Sequence, residues 1–186
     1  MEYRLTTPCT AQDLAPLRAG DTVLLSGVVY TARDQAHKRM LEALDAGQPL
    51  PFDLEGSAIY YVGPTPERPG QVIGSAGPTT SGRMDAMSPR LLDLGNKVMI
   101  GKGKRDAAVK AAVQRSGAVY LAALGGAGAL MAQSVQSLEV IAWPDLGCEA
   151  VRRLVVRDMP LTVILDPQGG DLYEAGPRAY LDSVQG

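Results

Sequence analysis

The chain of 186 residues has one histidine, two cysteines, one tryptophan and one phenylalanine, and aromatic residues make up 5% of it. Cys9 and Cys148 stand far apart with no CxxC spacing. That argues against a disulfide framework, and against a metal site made by this chain alone. No apolar run approaches the roughly 18 residues of a membrane span. The opening "MEYRLTTPCT" lacks the basic and apolar regions of a signal peptide. Neither charge sign dominates: 18 Lys and Arg face 20 Asp and Glu, a formal net charge of −2. No global basic field therefore draws the chain to nucleic acid or membrane. A cytoplasmic, reduced protein fits these absences.

What is present is 46% hydrophobic residues with 21 glycines and 13 prolines. The core must come from Val, Leu, Ile, Met and Ala, joined by many tight turns. This length suits a single domain, residues 1–186, that buries a core without staples. Strand patterns occupy 21–32, 57–63, 71–77, 97–101, 118–126, 138–143 and 161–166, with Gly27 as a bulge or close-approach point. Helical patterns occupy 33–47, 83–95 with an interruption near Pro89, and 104–117, the last ending at Gly117, and a further helix follows "ALGG". From about residue 97, strand and helix alternate, which predicts parallel strands with crossover helices. The expected fold is one α/β domain with two sheet components. The last twenty residues, polar and broken by Gly and Pro, are expected to wrap the surface.

Five stretches could carry chemistry. "GPTTSGRM" (77–84) offers three hydroxyls, Thr79, Thr80 and Ser81, where one would cap a helix, and Arg83 adds a planar fork that matches a carboxylate. It reads either as a cap with a surface arginine or as an anion site at a helix start. In "TARDQAHKR" (31–39), Thr31 and Arg33 sit where strand gives way to helix, and His37 follows Arg33 by one turn. A structural histidine and helix-start solvation are the plain alternative there. "IGKGKRD" (100–106) fails as a phosphate loop, because Lys104 is followed by Arg105 rather than Ser or Thr. Lys102, between two glycines, is the better anion contact, with Lys104 and Arg105 expected to solvate the helix. "ALGGAGALMAQ" places Gly126 and Gly128 in the first two positions of a dinucleotide fingerprint, with Met131 in the third and Asp145 near the place of a ribose acid. The missing glycine favours a tight turn packed on the sheet. In "DLGCEAV", Cys148 lacks triad partners, and Glu149 is expected to serve the fold or a subunit contact.

"TARDQAHKR", "GPTTSGRM" and "IGKGKR", in that order and followed by "AVYLAALGGAGAL", "DLGCEAV" and "MPLTVILD", resemble the β subunit of class I iron–sulfur fumarase and L(+)-tartrate dehydratase, equivalent to the C-terminal domain of single-chain class I fumarases. The resemblance covers nearly the whole chain. It implies a swivelling β/β/α three-layer fold, with a mostly parallel central sheet and a second, smaller sheet. It also implies a hydro-lyase that adds or removes water on a C4 dicarboxylic acid, active only with an iron–sulfur α subunit. That subunit would hold a 4Fe-4S cluster through three cysteines, in an α2β2 assembly or beside a β homodimer. Carried over by motif, Thr79 is the catalytic base and Asp34 a second catalytic group. Arg33, Arg83, Lys102, Thr80 and His37 are then substrate-binding. A non-catalytic swivelling module that binds a dicarboxylate or serves assembly is the competing expectation.

Overall fold

The computed structural model describes residues 1–123 and 126–185. Seven strands, β1 (Glu2–Thr6), β2 (Thr22–Thr31), β3 (Ala58–Tyr60), β4 (Val98–Gly101), β5 (Val119–Ala122), β6 (Val135–Ala142) and β7 (Val151–Leu165), form one sheet in the order β1-β2-β3-β4-β5-β7-β6. The helices are α1 (Ala11–Leu14), α2 (Asp34–Asp45), α3 (Ser88–Asp93), α4 (Ala107–Ser116), α5 (Gly128–Gln133) and α6 (Leu172–Gln185), with 3-10 turns at Ser81–Met84 and Pro144–Glu149.

The run β1-β2-β3-β4-β5 is parallel, as the alternation of strand and helix predicts. β7 is antiparallel to β5, to β6 and also to β2. Because β2 pairs with both β3 and β7, the sheet closes on itself through β2, β3, β4, β5 and β7. The expected second sheet is thus not a separate body: its strands are hydrogen-bonded into the same closed sheet. Closure removes most of the open edge that a flat sheet would present.

The period of two along each strand divides the core. Ala58, Tyr60, Val98, Ile100, Val119 and Leu121 point inside the closed sheet, against Val23, Leu25, Val29, Leu154, Met159 and Val163. Their neighbours Ile59, Met99 and Tyr120 point outward, against Ala36 and Met40 of α2, Leu91 and Leu92 of α3, and Val109, Ala112 and Val113 of α4. β2 bends at Gly27, where the register with β7 shifts and the backbone takes φ +103°. A Cβ at that position would lie 2.9 Å from the Thr7 carbonyl oxygen, so the expected bulge is one that only glycine fits.

Two expectations are corrected. Residues 71–77 form no strand; Thr65 and Ser75 instead bond to each other across the loop, and the Tyr60 hydroxyl donates to the Ala76 carbonyl. The helix expected over 83–95 with an interruption near Pro89 is a 3-10 turn followed by α3, and the break falls just before Pro89, which sits in the first turn of α3. The chain end lies largely exposed on the surface, as expected, and is helix α6.

Candidate active site

The C-terminal ends of β2, β3 and β4 lie side by side, and the candidate residues leave from them. This is where parallel α/β sheets place ligand groups. Arg33 and Asp34 follow β2 directly and open α2. Beyond β3, the Tyr61 carbonyl accepts from the Thr79 amide at 2.8 Å, which brings the 77–84 motif back onto the sheet. Thr80 then bridges to Lys102 just past β4, and the Ser81 amide donates to the Lys102 carbonyl at 2.8 Å. Three segments distant in sequence are thereby joined by backbone hydrogen bonds.

Charge converges on Asp34. Its Oδ1 accepts from Arg83 Nε at 2.7 Å, and Arg33 Nε lies 3.9 Å from its Oδ2. Arg33 also faces Glu149 at 3.4 Å, and Glu149 in turn accepts the Gln35 amide at 2.9 Å, an orphan donor of the first turn of α2. Glu149 is therefore a member of the cluster that the sequence left as a fold or subunit residue. Its place follows from the antiparallel β7, whose start meets the end of β2. There Thr31, buried, bonds to Ala150 and Arg152 and holds the junction.

The cluster holds more hydrogen-bonding capacity than it uses. Arg33 Nε, Asp34 Oδ2 and His37 Nε2 are buried without a partner. Such atoms are rare in folded proteins and mark water or ligand positions. Arg83 is half exposed, and among the described residues only its Nε is engaged by the protein. The Lys102 side chain is exposed and bonds to none of them. Thr79 is partly buried and Thr80 exposed, and Thr80 makes no side-chain cap on the short 3-10 turn. The hydroxyls of 79 and 80 are thus free of the capping role that was their plain alternative.

His37 is fully buried on α2. Its Nδ1 lies 3.0 Å from the Arg33 carbonyl, and its ring meets Tyr61 edge-on. Burial, the largest cause, brings its pKa down to about 4, with the Arg105 charge acting in the same direction. The neutral ring donates Nδ1–H to the Arg33 carbonyl and so fixes the start of α2 behind Arg33.

Arg105 is a correction. It is buried rather than solvating, with Nε 2.6 Å from Asp85 and Nη2 2.8 Å from Ser88 Oγ, between the rings of Tyr61 and Tyr120. Lys104 is exposed as expected. No periodicity signals an arginine whose partners come from three other elements. Asp145 pairs with Arg39 through both carboxylate oxygens, so the acid in the ribose position is already engaged. Gly128 packs against Ser75 and Gly77, which makes that glycine turn a packing element. Its residues Leu124 and Gly125 lie outside the described residues.

Among the described residues, no group of three His, Cys, Asp or Glu side chains is placed to hold a metal ion. Cys148 is exposed and Cys9 buried, and burial pushes the Cys9 thiol up to about 11, with Asp13 adding to the effect. A cleft of about 510 Å³ between the 65–75 loop and α5 is lined by none of Arg33, Asp34, Thr79, Arg83 and Lys102. The candidate residues lie outside that cleft. No helix among the described residues is long and apolar enough to cross a membrane.

The sequence matches the fumarase C-terminus family over residues 1–176. It is 40% identical over 180 residues to the putative L(+)-tartrate dehydratase subunit beta of Methanocaldococcus jannaschii, covering 94% of this chain and 92% of that one. To the L(+)-tartrate dehydratase subunit beta of Escherichia coli it is 32% identical over 187 residues, covering 98% and 92%. Fumarate hydratase 2 of Leishmania major is 38% identical over 168 residues, which cover 87% of this chain but 29% of the fumarase. The chain thus spans less than a third of the single-chain fumarases it matches and nearly all of the dehydratase β subunits. With its matched span folded around the Arg33–Asp34–Arg83 cluster, the chain belongs to the fumarase C-terminus family.

Proposed function

We propose that this chain is the β subunit of a heteromeric iron–sulfur hydro-lyase, which reversibly adds or removes water on a C4 dicarboxylic acid of the malate or tartrate type. The observation that carries the reading is the convergence of Arg33 and Arg83 on Asp34 with donors to spare, on a motif whose backbone is bonded to the Lys102 turn. A dicarboxylate carries two charges, and charged hydrogen bonds from guanidinium and ammonium groups can hold each end. Asp34 orients the two arginines and keeps their like charges together until substrate arrives. The 186 residues act as one unit in this role.

Removing a carbon-bound proton next to a carboxylate builds negative charge on that carboxylate. Arg33, Arg83 and Lys102 stabilise that charge more than they stabilise the ground state. Thr79 is assigned as the base. Its hydroxyl must first give up its own proton, and the cationic surroundings lower the cost of doing so. Thr80 and His37 complete the substrate wall, His37 through the Arg33 backbone. The two cysteines of the sequence cannot supply three thiolates, and among the described residues no other side chains gather as a ligand set. The reading therefore assigns the 4Fe-4S cluster to a separate α subunit. Two unpaired cysteines agree with a reduced, cytoplasmic setting.

Anaerobic co-expression with the α subunit, followed by a fumarate absorbance assay on malate and tartrate, tests the reading. Turnover should require both chains and should fall at least a hundredfold in Thr79→Val, by the scale of general-base effects, roughly 10²–10⁴. A Thr79→Val complex that keeps full turnover removes Thr79 from the mechanism. A cluster-loaded complex inactive on both diacids favours the non-catalytic binding module.

A further inference from the structure

The loop after β4 carries Lys102 on a backbone that is held at the amide and carbonyl of both 102 and 103. The Lys102 amide donates to Ser81 Oγ at 3.0 Å, and its carbonyl accepts from the Ser81 amide at 2.8 Å. The Gly103 amide donates to the Tyr173 hydroxyl at 3.3 Å, and the Gly103 carbonyl lies 2.9 Å from the Tyr120 hydroxyl. Tyr120 also lies 2.9 Å from Ser81 Oγ.

The proton order in this network is determined. A carbonyl can only accept, so the single Tyr120 proton goes to the Gly103 oxygen. Ser81 must then donate its own proton to the Tyr120 oxygen while accepting from the Lys102 amide. The chain runs Lys102 N–H to Ser81 Oγ–H to Tyr120 Oη–H to Gly103 C=O, and every hydroxyl in it gives and takes one bond. Ser81 is fully buried, as is Tyr120. The site of closest approach is Gly101, where any Cβ would overlap Ser81 Oγ.

Ser81 and Tyr120 spend their hydroxyls on the turn and reach no solvent, whereas the Lys102 side chain is exposed and bonds to none of the described residues. A flexible four-carbon side chain becomes a defined contact only if its base is fixed. We propose that Ser81 and Tyr120, assisted by Tyr173, are positioning residues that clamp the 101–103 turn and aim the Lys102 ammonium at a substrate carboxylate. The proposal rests on the reading of Lys102 as a substrate contact. It gives the third hydroxyl of "TTS" a task distinct from those of Thr79 and Thr80.

Two measurements decide it. In the complex with α, Ser81→Ala and Tyr120→Phe should each raise KM about tenfold, with thermal midpoints recorded to confirm folding. Placed on Lys102→Ala, Tyr120→Phe should add less than about twofold, since residues acting through one another are not additive. The same tenfold loss in that background would show a general structural role and overturn the proposal. Independently, hydrogen exchange on the full chain should show the Lys102 and Gly103 amides exchanging about tenfold faster in Ser81→Ala, with those of β3 unchanged. Unchanged exchange at 102 and 103 overturns the clamp whether or not the complex turns over. A wild-type complex without turnover counts against the proposed function alone.

Discussion

At the scale of single residues, the buried charges make the sharpest predictions. Arg105 is fully buried at its side chain and bonded to Asp85, so removing either partner leaves the other uncompensated. Arg105→Met should cost about 3–5 kcal/mol, read as a lower urea midpoint, and a second change of Asp85→Asn should recover part of it. His37 gives a pH dependence. Its pKa is about 4 in the fold against 6.5 in the unfolded chain, so between those values the unfolded state binds a proton that the folded state refuses. Stability should therefore fall as pH drops from about 6.5 to about 4, by up to about 3 kcal/mol in total. His37→Asn keeps a donor near the Arg33 carbonyl and should flatten this slope in urea melts at pH 7, 5 and 4; an unchanged slope would assign it to other groups. Arg33, Arg83 and Lys102 were legible as candidates because each follows a strand or turn signal. Arg105 and Glu149 were not, because their surroundings come from tyrosines, serines and a strand start remote in sequence.

At the scale of elements, the parallel strands were readable from apolar runs, since both of their faces are covered. α4 was readable from its periodicity and from Gly117, which ends it at φ +64°. β7 was not readable in full: only 161–166 was expected, whereas the strand runs from Val151 to Leu165. Arg152, Arg153, Arg157 and Asp158 interrupt its apolar pattern, and Asp158 takes φ +47°. The opposite error at 71–77 has the same origin. Ile73 and Ala76 are buried as strand residues would be, yet the backbone of their segment bonds to Thr65 and Gly128 rather than to a strand. The bulge in β2 is testable on its own. Gly27→Ala should lower stability by about 2–3 kcal/mol with an unchanged denaturant slope, because the left-handed backbone and the contact with Thr7 both oppose a side chain. A neutral effect would show that the bulge relaxes freely.

At the scale of the whole molecule, closure of the sheet through β2 and β7 brings the end of β2, the start of β7 and the ends of β3 and β4 to one face. Motif order along the chain pointed to these segments, but only the closed topology seats Glu149 beside Arg33. The face is charged, and it displays the unfilled donors on which the proposed diacid site rests. The most direct measurement compares wild type with Arg83→Ala in the anaerobic complex with α, using malate and tartrate. Arg83 is half exposed, so its loss should leave folding intact. Losing its charged hydrogen bonds, each worth about 1.5–3 kcal/mol, should cut kcat/KM for the preferred diacid about a hundredfold. Undiminished kcat/KM in an intact complex would contradict the assignment of this cluster to the substrate carboxylate.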